Sequence, residues 1–84
     1  MKIQAEISIY PLKTKSLSEP INEFCLTLEN KGLQVETRTM SSFVVEESEI
    51  VFKSVQEAFG KLAEKYDVVM NIKVSNACPK EAKR

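Results

Sequence analysis

Residues 4–12, QAEISIYPL, decide how this chain folds. Together with the preceding Ile3, the apolar side chains Ala5, Ile7 and Ile9 take every second position, and Gln4, Glu6, Ser8 and Tyr10 take the others. A period of two puts the two sets on opposite faces of a β-strand. One face is ready for a core. The other displays a carboxylate, a hydroxyl and a phenol, and raises the question of what it faces.

Outward from this strand, PLKTKSLSEP (11–20) is a polar loop with Ser16 and Ser18 as candidate helix caps, and Pro20 fits a first helical turn, where N–H groups lack intrahelical partners. Ile21, Phe24, Cys25 and Leu28 then recur at helical spacing, and Gly32 suits a left-handed C-terminal cap, so a helix is predicted over 19–31. LQVETRT (33–39) alternates again and predicts a half-exposed strand. After a tight connection at Met40 and Ser41, SSFVVE (41–46) predicts a central strand, with Phe43 assigned to the inward parity and Val44 and Glu46 to the outward one. From Ser48 a second helix carries Val51, Val55, Ala58, Phe59, Leu62 and Tyr66 on one stripe and is expected to end near Lys65. DVVMNIKVS (67–75) is a last alternating strand with Val68, Met70, Ile72 and Val74 inward, and NACPKEAKR (76–84) reads as a frayed tail.

The order is β-α-β-β-α-β, with no internal linker. Right-handed crossovers onto one sheet give a ferredoxin-like α+β sandwich: a single domain over 1–84, antiparallel sheet order 4-1-3-2, both helices on one face. The opposite face then has no covering element. Glu6 and Ser8 lie in mid-sheet there, with Asn71 and Lys73 expected on one side, and Tyr10 lies towards the starts of the third and fourth strands, near Ser42 and Val69.

Composition narrows what this face can do. The 12 Lys and Arg balance 12 Asp and Glu, so no basic field attracts a phosphate backbone, and nucleic acid is not an expected partner. No apolar run approaches the roughly 20 residues of a membrane-spanning helix, and the opening MKIQAEIS turns polar too early for a signal peptide, which points to the cytoplasm and away from a membrane. The chain contains no histidine, and its two cysteines form no CxxC motif, which argues against zinc sites and histidine-dependent triads. A four-ligand iron–sulfur cluster lacks thiols; Cys25 reads as a small core residue and Cys78 as an exposed one. The loop after the first strand has neither glycine nor arginine for phosphate capture, and Glu6 and Glu46 come with no positioned nucleophile. Catalysis finds no support, and no metal or cofactor is called for.

Four segments in order, AEISIYPL (5–12), GLQVETRTMSS (32–42), EIVFKSVQEAF (49–59) and KVSNACP (73–79), resemble the YkoF-like family of thiamine/hydroxymethylpyrimidine-binding proteins. Tyr10-Pro11-Leu12, Met40-Ser41-Ser42 and Val74 to Pro79 carry most of the likeness; Val45-Glu46-Glu47 departs from it where such proteins commonly carry a glycine. The resemblance implies a non-enzymatic cytoplasmic protein that assembles into homodimers or homotetramers and binds thiamine or its hydroxymethylpyrimidine moiety, in thiamine salvage or transport-related physiology.

An aminopyrimidine offers ring acceptors, an amine donor and a flat face, and a thiazolium is a cation; a site for them calls for a carboxylate, hydrogen-bonding groups and an aromatic wall. Glu6 as the carboxylate, Tyr10 as the wall, and Ser8, Ser42 and Asn71 as orienting groups meet that description. The same residues admit an ordinary reading. Glu6 can pair with Lys73 across adjacent strands, and Tyr10 and Val44 can belong to a subunit interface. The alternative function is therefore a structural or regulatory homo-oligomerisation module without a small-molecule ligand.

Overall fold

The alternating first segment forms the longest strand of a four-stranded sheet, flanked by neighbours on both sides. In the computed structural model, which describes residues 1–77, the elements are β1 (Lys2–Leu12), α1 (Ser18–Asn30), β2 (Glu36–Thr37), β3 (Ser42–Glu47), α2 (Ser48–Ala63) and β4 (Asp67–Ser75). The order across the sheet is β2-β3-β1-β4, and every neighbouring pair is antiparallel. This is the predicted ferredoxin-like sheet read from its other edge. The expectations for Cys78 and for the tail from residue 78 onward lie outside the described residues.

Ile3, Ala5, Ile7 and Ile9 of β1 form the floor of the core, covered by Phe24 and Leu28 of α1 and by Val51, Val55, Ala58 and Leu62 of α2. Burying each of the larger side chains among these contributes about 1.5–3 kcal/mol relative to exposure, which is what holds both helices to one face. Val68, Met70 and Ile72 of β4 pack against this cluster half-buried, as strand parity predicts, whereas Val74 stays 39 % exposed. No helix among the described residues is long and apolar enough to cross a membrane.

Two local expectations are corrected. The strand predicted over 33–39 shrinks to Glu36–Thr37 because its ends are engaged elsewhere. Leu33 N–H donates to Leu28 O (3.2 Å) in closing α1, helped by Gly32 at φ 94°, and Leu33 itself is buried in the core. At the other end Arg38 N–H donates to Ser41 O (2.8 Å), turning the chain out of the ladder.

The second correction concerns β3, where Phe43, Val44 and Val45 are apolar in succession and leave parity undetermined by sequence. Register decides it: Ala5 stands opposite Val44 and Glu6 opposite Phe43. Val44 is therefore a core residue (1 % exposed), and Phe43 belongs to the outer face with Glu6. Glu46, opposite Ile3, shares the inward parity of Val44 and is half-buried.

Candidate functional site

The sheet's strands differ in length, and that difference makes the site. β1 runs to Leu12, but its pairing with β3 ends at Ile7, opposite Ser42. Beyond Ile7, β1 has β4 on one side only, where Ser8, Tyr10 and Leu12 oppose Asn71, Val69 and Asp67. The missing length of β3 is replaced by the turn 38–41, which arches over the end of β1.

β1 holds that turn from the outer face. Ser8 Oγ donates to Met40 O (3.1 Å), and Ser41 Oγ donates to Glu6 Oε2 (2.8 Å). Arg38 lies over the Phe43 ring, its guanidinium carbon 4.1 Å from the centroid. Its Nη1 is 3.8 Å from Glu6 Oε2 and its Nη2 is 3.5 Å from Glu36 Oε1, both longer than a close charge-assisted hydrogen bond. The guanidinium is thus set by stacking and by two acids at moderate range.

Behind this turn a cavity of about 250 Å³ opens between sheet, α1 and turn. Ile7 and Ile9 of β1 and Ile21 of α1 give it apolar walls, Tyr10 stands at its side, and the segment from Thr37 to Ser42 completes it. Three apolar walls with convergent hydroxyls are the usual make-up of a small-molecule site. None of the described lining residues is acidic, and Arg38 alone among them is charged. A larger concavity of about 630 Å³, between Glu29, Leu33–Glu36 and the outer side of β3, is a more open groove. The enclosure of the smaller one makes it the better container.

The sequence-predicted site residues fall into three groups. Tyr10 and Ser42 line the cavity. Ser42 faces the helices rather than the open sheet: it is 5 % exposed, and its Oγ lies 3.2 Å from Cys25 Sγ. Glu6 and Ser8 share the outer face and brace the turn, so they act on the cavity through Ser41 and Met40. Asn71 stands opposite Ser8 on the exposed side of β4, outside the cavity lining. Lys73 is opposite Glu6 as expected, yet the bonded partner of the carboxylate is Ser41, with Arg38 nearby.

Arg38, Ser41 and Ile21 are among the lining residues that the sequence does not mark as site residues. Arg38 shares its parity with Glu36 on the exposed row of LQVETRT, which was the available signal. Ile21 belongs by its spacing to the core stripe of α1, so nothing local marks it as a cavity wall.

The profile of the thiamine-binding protein family matches residues 5–83. A hypothetical protein from Methanocaldococcus jannascii superposes with a TM-score of 0.85 at 27 % identity, covering 98 % of this chain and 91 % of its own. A Thermotoga maritima protein provisionally described as a thiamine biosynthesis/salvage protein gives 0.86 at 19 %, covering 99 % and 95 %. A Bacillus cereus domain of unknown function, DUF77, gives 0.77 at 18 %, covering 89 % and 75 %. The last two likenesses speak to fold. No curated protein matches the sequence at significance. With the match running from Ala5 in β1 past the end of β4, the chain belongs to the thiamine-binding protein family.

Proposed function

We propose that this domain binds thiamine or its hydroxymethylpyrimidine portion without transforming it, in the cavity where β1 outruns β3. The observation that carries the reading is the cavity itself: isoleucine walls, Tyr10 at the side and hydroxyl groups on the segment from Thr37 to Ser42. Membership of the family supports the ligand class, and the provisional description of the Thermotoga maritima relative as a thiamine biosynthesis/salvage protein supports a setting in thiamine salvage. Tyr10 serves as the flat wall, Ser42 contributes its hydroxyl to the lining, and Glu6, Ser8 and Ser41 keep the turn in place. The working form is a cytoplasmic homodimer or homotetramer.

Ligand at 100 times its Kd raises stability by about 2.7 kcal/mol. A clear rise in Tm is therefore expected with thiamine, a thiamine phosphate or hydroxymethylpyrimidine. The absence of any shift in all three removes the proposal.

A second reading has its own observation. Tyr10, Leu12 and Val69, 47 %, 45 % and 51 % exposed, lie together at one end of the outer face, as a subunit interface would require. Tyr10→Ala separates the two. Loss of the thermal shift with an unchanged mass in light scattering favours the binding site, and dissociation of the assembly by a protein that never responded to ligand favours the assembly module.

A further inference from the structure

The chain leaves β4 in a set direction. Pairing of β4 with β1 ends at Ser75, opposite Gln4, and there the backbone bends: Ser75 Oγ accepts from Ala77 N–H (3.0 Å), and Gln4 Nε2 donates to Ala77 O (2.9 Å). Asn76 Nδ2 lies 3.8 Å from Met1 Sδ. Both residues after the strand are thus held by the first residues of β1. Gln4 shares the outer parity of Glu6, and its partner on the far side is Val45 of β3. The chain is therefore aimed across the outer face towards β3, at the end of the sheet away from Tyr10 and Leu12.

Beyond β3 lies the open groove of about 630 Å³. β2 pairs with Ser42 and Phe43 alone, so from Val44 to Glu47 the outer edge of β3 has no strand beside it among the described residues. Leu33, Val35, Phe43 and Val45 give the groove an apolar floor, and its charged lining residues, Glu29 and Glu36, are both acids. Glu29 makes no ion pair among the described residues, and Glu36 meets Arg38 at 3.5 Å. A bare strand edge with an apolar floor and an acidic rim suits an extended basic segment.

Residues 78–84, CPKEAKR, have that chemistry, since Lys80, Lys83 and Arg84 outweigh Glu81. Fully extended, this segment reaches about 23 Å. The step from Gln4 past β3 to β2 is two strand spacings, about 10 Å. Tethered at Ala77, the segment meets the groove at an effective concentration of about millimolar, ahead of a free peptide of the same charge. We infer that residues 78–84 cross β3 and seat in this groove, with Lys80, Lys83 and Arg84 against Glu29 and Glu36, so that the chain covers the open edge of its own sheet. An edge left bare is a template for another chain.

Zero-length carbodiimide coupling of the full, unsubstituted chain tests this, in a mixture of ¹⁴N and ¹⁵N chains that separates links within a chain from links between two. Lys80 or Lys83 should join Glu29 or Glu36 within one chain, with a yield that falls several-fold in 1 M salt, where the screening length is about 3 Å. A nitroxide on Ala82→Cys, in a Cys25→Ala/Cys78→Ala background checked by its urea midpoint, gives a second reading. The amides of Val35 and Glu36 should broaden several-fold more than that of Lys73 on β4, and Glu29→Gln/Glu36→Gln should erase the contrast. Equal broadening at Lys73 and Glu36, or coupling of Lys80 and Lys83 that favours acids elsewhere, overturns the inference. Links found only between chains also overturn it, and give the groove to the segment of a second copy.

Discussion

Ser41 Oγ on the turn before β3 donates a 2.8 Å hydrogen bond to Glu6 Oε2 in the middle of β1, tying the outer face of the sheet to the wall of a cavity on its other side. Residues 35 positions apart are joined there, and the turn they fix carries the lining from Arg38 to Ser42. The bond fixes one wall of the cavity from the outer side of the sheet.

Removing this tie should loosen the turn selectively. A hydrogen bond of this kind contributes about 0.5–1.5 kcal/mol net, and the partial exposure of Glu6 puts Ser41→Ala and Glu6→Gln towards the lower end. The more telling readout is amide exchange at Arg38, whose N–H donates to Ser41 O within the turn. Faster exchange there, with core amides of α2 unchanged, is the expected outcome; uniform change across the domain would contradict it.

Arg38 and Phe43 form a stacked pair at 4.1 Å on the open face, an arrangement contributing about 0.5–1 kcal/mol at exposed sites. Phe43→Ala should lose this and some apolar cover. Arg38→Lys should also weaken it, because an ammonium lacks the planar guanidinium that stacks on a ring. A double-mutant cycle in urea that returns no coupling between the two would show that the contact contributes nothing.

The two glycines should respond in opposite directions. Gly60 lies in the exposed interior of α2 with open space where a Cβ would stand, so Gly60→Ala should stabilise by about 0.5–1 kcal/mol. Gly32 has equal space but φ +94°, and Gly32→Ala should destabilise by about 1 kcal/mol through backbone strain alone. Thermal melts of the pair separate backbone conformation from crowding.

The pH response should come from ion pairs that tie the helices together. Lys31 Nζ lies 2.6 Å from Glu57 Oε1, and its hydrogen bond holds the Glu57 carboxyl below the ordinary value near 4.5. A depressed carboxyl stabilises the fold above its unfolded value, and the effect fades as pH falls through the folded one. Glu23 acts in the opposite sense on Lys65, whose amine is raised above 10.5 by their hydrogen bond; that contribution is complete below 10.5 and fades as pH rises through the folded value. Both pairs are at the surface, so the changes are small. Urea midpoints measured from neutrality to acid should converge for wild type and Glu57→Gln below pH 4.5, with wild type ahead at neutrality.

Ser16 and Ser75 show how local signals translated into structure. Ser16 Oγ accepts from Glu19 N–H (3.4 Å) at the start of α1, and Ser75 Oγ accepts from Ala77 N–H (3.0 Å) just after β4, both within reach of short-range sequence reading. The ends of α2, Ser48 and Ala63, lie within a few residues of expectation without any side-chain cap, because its apolar stripe sets its extent.

What the sequence determined by itself was periodic. Ile3 to Ile9, the stripes of α1 and α2 and the alternation of β4 each state which side of an element is apolar, and with the chain order they leave essentially one way to close a core. Tertiary structure alone decided the parity of β3, where three apolar residues in succession carry no period, and the inward turn of Ser42 that follows from it. It also decided the partner of Glu6. Lys73 and Arg38 lie on opposite sides of that carboxylate, and only the shortness of β3 relative to β1 brings Ser41 and the turn within bonding distance. Strand pairing is a property of two segments at once, so no single stretch of sequence contains it.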